Sequence, residues 1–117
     1  MDVLITDDNR DAAHSLARLM RMRGHRVSIA YSGKGAIAAV TKGPQAIILD
    51  IGLPDMNGHE IARAIRARTP SAAIIALSGC GSEQDRRQAD EAGIDVYLTK
   101  PALLVDIEAA LTAHSEK

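Results

Sequence analysis

Ala46-Ile47-Ile48-Leu49-Asp50-Ile51-Gly52-Leu53-Pro54-Asp55-Met56-Asn57-Gly58 decides how this chain folds. Four apolar residues run straight into an aspartate, and a turn rich in Gly, Pro and Asn follows at once. A short apolar run bounded by turn residues reads as a strand buried on both faces. Asp50 then stands at the carboxyl end of a central strand, where open α/β sheets bind their ligands. Asp50 could equally cap the turn, a common use of Asp, so the flanking segments have to decide.

Upstream, Asp2–Thr6 reads as a first strand followed by Asp7-Asp8-Asn9. Arg10–Arg23 is a helix: Ala13, Leu16, Ala17 and Met20 recur at helical spacing, Asp8 or Asn9 can cap its start, and Gly24 ends it. Arg26–Ala30 is a second strand, and Ser32 opens a small-residue helix over Gly33–Thr41. Downstream, Gly58–Arg68 is a helix with Ile61, Ala62 and Ile65 inward, and Ala72–Leu77 is a fourth strand ending in Ser78-Gly79-Cys80-Gly81. Ser82–Ala92 reads as a polar helix, with Ser82 as its cap and Asp85 three residues on. Ile94–Leu98 is a fifth strand; Thr99-Lys100-Pro101 follows, then a last helix from Ala102 to about His114.

Strands alternating with helices predict one doubly wound α/β domain over residues 1–117, a (βα)5 unit with a five-stranded parallel sheet and right-handed crossovers. Strands one, three and four are nearly continuously apolar, whereas Ser28 interrupts strand two and Asp95 strand five. Those two belong at the edges, which selects the flavodoxin-like order 2-1-3-4-5.

Composition narrows the function. The 117 residues suffice for a core without metal or disulfide staples. With two Tyr, no Phe and no Trp, that core must be aliphatic, and stacking platforms for single-stranded nucleic acid are missing. A net charge of −1 gives no reason to expect direct nucleic-acid or anionic-membrane binding. One cysteine excludes an internal disulfide and fits a reducing compartment. With no signal-like or membrane-spanning stretch, the expectation is a cytoplasmic domain without membrane contact.

Just past the strands stand Asp7 and Asp8, Asp50, Ser78 and Lys100, while strand two ends in Tyr31-Ser32 with nothing comparable. In the predicted order the four functionalised strand ends are neighbours. Three carboxylates in one crevice repel one another and call for a cation beyond one Lys. All-oxygen donors suit a hard divalent ion, most plausibly Mg²⁺, with Mn²⁺ a possible substitute. Cation, hydroxyl and ammonium together suit a phosphoryl group, with a carboxylate as the nucleophile.

Asp7-Asp8-Asn9, the Asp50–Gly58 segment, Ser78 and Lys100-Pro101 resemble, in order and across essentially the whole chain, the receiver domain of two-component response regulators, the CheY-like phosphoacceptor family. The resemblance implies that Asp50 accepts a phosphoryl group from a phosphohistidine on a histidine kinase or histidine phosphotransfer domain. Asp8, Asp50 and the backbone carbonyl of Gly52 would ligate Mg²⁺, with Asp7 acting through water. Ser78 would hydrogen-bond one phosphoryl oxygen and Lys100 pair with another. Tyr97 matches the family's switch aromatic, turning inward as Ser78 moves, although it could be a core aromatic only. Lys100-Pro101 would be cis, as X-Pro bonds alone readily are. Gly52 and Cys80 occupy positions resembling those that tune phosphoryl lifetime; neither can position an attacking water, which predicts slow-to-moderate self-dephosphorylation. The signal would leave through the Ser82–Ala92 helix, strand five and the last helix as a polar, reversible contact, and a weak homodimer is allowed.

Other candidates read as ordinary surface or filler. His14, His25, His59 and His114 lack ligand spacing and are expected at the surface, and Cys80 fills space on a turn. Arg18, Arg21, Arg23 and Arg26, with Arg63, Arg66 and Arg68, suit helix C-termini and a solvated face. Two other functions compete. A Mg²⁺-dependent phosphatase with an aspartyl nucleophile usually has a second acid two residues on, where this chain has Gly52. A phosphorylation-inactive binding module is opposed by the intact Asp8, Asp50, Ser78 and Lys100. A lone response regulator and the receiver of a hybrid histidine kinase are both open as parents; the Asp8–Ala13 opening and Arg-rich first helix resemble the latter.

Overall fold

The alternation of burial along the central strand organises everything else. The structure, a computed structural model, describes residues 1–79 and 83–115. All five residues of β3 (Ala46–Asp50) are buried. Ile47 and Leu49 point into one apolar layer and Ala46 and Ile48 into the other, as the two-residue period of a strand requires.

Around it lie β1 (Asp2–Thr6), α1 (Arg10–Met22), β2 (Arg26–Ala30), α2 (Gly33–Ala39), α3 (Gly58–Arg68), β4 (Ala73–Ser78), α4 (Glu83–Glu91), β5 (Val96–Thr99) and α5 (Leu104–Ser115). The five strands are parallel in the order β2-β1-β3-β4-β5, so the expected flavodoxin-like, CheY-like architecture stands. One face packs Met20 of α1 with Ile107 and Leu111 of α5. The other packs Ile61 and Ile65 of α3 with Ala89 of α4. The core is aliphatic throughout, and β2 and β5 are the more exposed strands.

Several boundaries differ from the sequence reading. α2 stops at Ala39, and a 3₁₀ turn over Val40–Lys42 carries the chain to Gly43 at φ 72°, a conformation that favours glycine. β4 is shifted one residue onward. β5 begins at Val96 rather than Ile94 because Ile94 drops into the α3/α4 layer and Asp95 turns back. The Asp95 Oδ2 accepts from the Ile74 N–H at 2.8 Å and from Arg66 Nη2 at 2.7 Å. Asp95 is therefore a tie to β4, not a mere polar interruption. α5 starts at Leu104, its first carbonyl bond closing from Ile107 N–H to Leu103 O at 3.1 Å. The expected Ser82 cap and Cys80 lie outside the described residues, as does the side chain of Asp85.

Three surface expectations are corrected. Arg66 does not lie in solvent: its guanidinium donates to the carbonyls of Gly93, Pro70 and Ala72 and pairs with Asp95. His25 lies against α5, its Nε2 3.0 Å from Glu108 Oε1, with side chains only 14% and 23% exposed. The Nε2 of His59 is also buried.

Candidate functional site: an acidic crevice at the strand ends

Each site residue is set by a local turn. The Asp7 N–H donates to Ala30 O at 3.1 Å, the last rung between β1 and β2. Asp7 Oδ1 then accepts from Asn9 N–H at 2.9 Å, which turns the chain out of the sheet. Asn9 in its turn caps α1 through Ala12 N–H at 3.1 Å. The acidic pair is thus fixed between a finished strand and a capped helix.

Asp50 ends β3, and Ile51 N–H extends the ladder to Leu77 O at 3.0 Å. Asp50 Oδ1 accepts from Gly52 N–H at 2.9 Å and lies 3.1 Å from Lys100 Nζ. The carboxylate is 8% exposed and the lysine 41%, so a sunken anion meets a cation reaching in from solvent. Lys100 is fastened to β4 by its own N–H, which donates to Ser78 O at 2.7 Å, and its bond to Pro101 is cis as expected.

Asp7, Asp8 and Asp50 each offer a carboxylate oxygen, and these oxygens lie within 4.8 Å of one another. Burial pushes the Asp7 carboxyl above its ordinary 3.8. The Asn9 N–H pulls it down, the charge and hydrogen bond of Asp50 push it up again, and Lys100 opposes them. An all-carboxylate donor set whose oxygens lie this close together fits a hard divalent cation.

Ser78 is buried at the end of β4, in register with Thr99. Tyr97 pairs with Ala76 one step back on the same face, half-buried against the α3/α4 layer, with the Arg86 guanidinium 5.5 Å from its ring centre. The structure therefore gathers Asp7, Asp8, Asp50 and Lys100 at one end of the sheet, with Ser78 at the neighbouring strand end and Tyr97 behind it.

Two further contacts shape this end of the sheet. Asp55 accepts from Gly33 N–H at 2.9 Å and Lys34 N–H at 3.2 Å, tying the loop after Asp50 to the start of α2. The end of β2 is not bare, since Tyr31 holds Arg10 and His14. An aspartate after a proline in a turn was a usable signal for the first; the second depends on sheet order.

The family model for the response regulator receiver domain matches residues 3–112. This chain belongs to that family. The receiver is 38% identical over 112 residues to the transcriptional regulatory protein PrrA of Mycobacterium tuberculosis, covering 95% of the receiver and 48% of PrrA. It thus spans about half the length of the curated relatives it matches. Its fold superposes with a TM-score of 0.93 on a two-component response regulator from Clostridium difficile, at 26% identity over 100% of the receiver and 97% of that chain. A response regulator protein from Burkholderia pseudomallei, 33% identical with a TM-score of 0.90, covers 98% of the receiver and 69% of its own chain. That structure contains a phosphorylated aspartic acid, a calcium ion and citrate. Among the described residues of the receiver, no helix is long and apolar enough to cross a membrane.

Proposed function

We propose that Asp50 accepts a phosphoryl group from a phosphohistidine of a histidine kinase or histidine phosphotransfer domain, and that this switches a partner-binding face. The observation that carries the reading is the 3.1 Å approach of Lys100 Nζ to Asp50 Oδ1 beside the Asp7 and Asp8 carboxylates. The phosphorylated aspartate and the calcium ion in the Burkholderia neighbour support it. An Asp50 oxygen attacks phosphorus, the phosphorus–nitrogen bond breaks, and its electron pair returns to the imidazole, which takes up a proton. Lys100 takes one phosphoryl oxygen and the Ser78 hydroxyl another.

Asp8, Asp50 and the Gly52 carbonyl would hold Mg²⁺, or Mn²⁺ in its place, with Asp7 joined through water. The bound ion supplies positive charge against the phosphoryl oxygens and the carboxylates that crowd them. Tyr97 and Ser78 then form the switch, and α4, β5 and α5 the face that carries it outward. Arg86, Arg87 and Asp90 on α4 are exposed, as are Leu103 just before α5 and Val105 in its first turn, at 62% and 66%. The same chemistry serves a lone cytoplasmic regulator and the receiver of a hybrid histidine kinase.

Incubation with Mg²⁺ and acetyl phosphate separates the competing functions. One added phosphoryl group, absent in Asp50→Asn, is the expected result. Turnover of added phosphomonoesters would favour an aspartyl phosphatase instead. No label from any donor and no response to beryllofluoride would favour an inert binding module.

A further inference from the structure

Arg10 is the first residue of α1, two positions after Asp8. A cation is disfavoured there, because the helix macrodipole is positive at its N-terminus. Among the described residues no carboxylate lies within ion-pair distance of it. What holds it is the ring of Tyr31, whose centre lies 4.0 Å from the guanidinium carbon. Tyr31 is held in turn by His14, whose Nε2 is 2.7 Å from the phenol oxygen and whose ring meets it edge-on at 74°. A surface arginine, an aromatic and a histidine are thus spent on keeping one unneutralised charge in place. Local preferences overridden in this way are expected at functional or strained positions.

Its position says what the charge is for. Thr6 pairs with Ala30 on β2 and with Leu49 on β3, so the next residues along, Tyr31, Asp7 and Asp50, stand level on adjacent strands. At about 4.8 Å between strands, Tyr31 lies roughly 10 Å from the acceptor, about one Debye length at 0.1 M salt. The β2 side of this end of the sheet therefore carries an exposed positive charge, beside a crevice that holds three carboxylates and Lys100.

The geometry points to Arg10 as a donor-selecting residue: it draws the anionic end of an incoming phosphodonor toward Asp50 and favours donors in proportion to their negative charge. The inference rests on the phosphoacceptor reading above and adds a determinant of rate that lies outside the reacting set. With the roughly 10 Å strand spacing between Tyr31 and Asp50 as the scale of the separation, one such charge would speed capture of a dianion about fourfold and of a monoanion about twofold.

The test compares phosphorylation by acetyl phosphate, a dianion near neutral pH, with phosphorylation by phosphoramidate, a net monoanion, at low salt and at about 0.5 M salt, where screening is strong. Arg10→Gln is expected to lose about fourfold with acetyl phosphate and about twofold with phosphoramidate, with both losses vanishing at high salt. Arg10→Lys should recover most of the rate at low salt. Equal losses for the two donors, losses indifferent to salt, or no loss at all would overturn the assignment. If the unsubstituted receiver gains no phosphoryl group from either donor, the phosphoacceptor reading fails, and the role of Arg10 with it.

Discussion

Asp55, in the loop after Asp50, and Asp7, in the crevice, are carboxylates whose protons respond in opposite senses. The Gly33 and Lys34 N–H groups hold the Asp55 carboxyl below its ordinary 3.8. Its stabilising effect is therefore full above that value and lost as pH falls through the depressed one. Asp55→Ala should lower Tm at neutral pH, and the gap to the parent should close as thermal melts are taken into acid. Asp7 runs the other way. Its carboxyl is raised, by burial first, so its favourable contribution is present below 3.8 and lost as pH rises through the raised value. In metal-free buffer near neutrality Asp7→Asn should raise Tm, while shrinking the further rise expected of Mg²⁺ in the parent; a fall in Tm would contradict the penalty on the Asp7 charge. These residues were unequally legible. Asp7, Asp8, Asp50, Ser78 and Lys100 each end a strand pattern and begin a turn, so local sequence marks them. Asp55 meets Gly33 and Lys34 across 22 and 21 residues, and no local pattern encodes that meeting.

At the scale of elements, α3 shows where periodicity stops being informative. It assigned Ile61, Ala62 and Ile65 inward correctly. It placed Arg66 in solvent because it ranks faces and ignores reach, and a long side chain at the stripe's edge can lie along the fold and bury its head group's bonds. The Arg66 guanidinium closes the lower ends of β4 and β5, meeting the carbonyls of Ala72 at 2.6 Å and Gly93 at 2.7 Å and the carboxylate of Asp95 at 2.7 Å. Arg66→Ala should therefore cost about 2–4 kcal/mol in chemical denaturation, since it removes the cation from Asp95 and a donor from three carbonyls. Arg63→Ala, on the same helix but exposed, should stay within about 0.5 kcal/mol. Equal effects would refute the clamp. The start of α3 is tied to the site by close packing: a Cβ on Gly58 would stand 2.9 Å from Ile51 Cα and 2.8 Å from its Cδ1. Gly58→Ala should force the loop carrying Gly52 away from α3, costing about 1–3 kcal/mol, and should weaken the Mg²⁺ response as well.

The molecule as a whole is a sheet whose order was readable from which strands were interrupted, and that order alone brings Asp7, Asp8, Asp50 and Lys100 together. Ligand linkage gives it a global readout. At about a hundred times its Kd, Mg²⁺ held at the proposed site would add roughly 2.7 kcal/mol to the folded state, which for a domain of this size would move Tm by on the order of 10 °C. Asp8→Asn should abolish most of that shift. Exchanging the charges of Arg86, Arg87 and Asp90 should weaken partner binding and leave phosphorylation intact. The central claim is that Asp50, and neither of the carboxylates within 4.8 Å of it, is the acceptor. Borohydride reduction of the phosphorylated receiver, followed by peptide mapping, tests it most directly, because an acyl phosphate on aspartate is reduced to homoserine. The account predicts homoserine at position 50 alone; homoserine at position 7 or 8, or at none of the three, would contradict it.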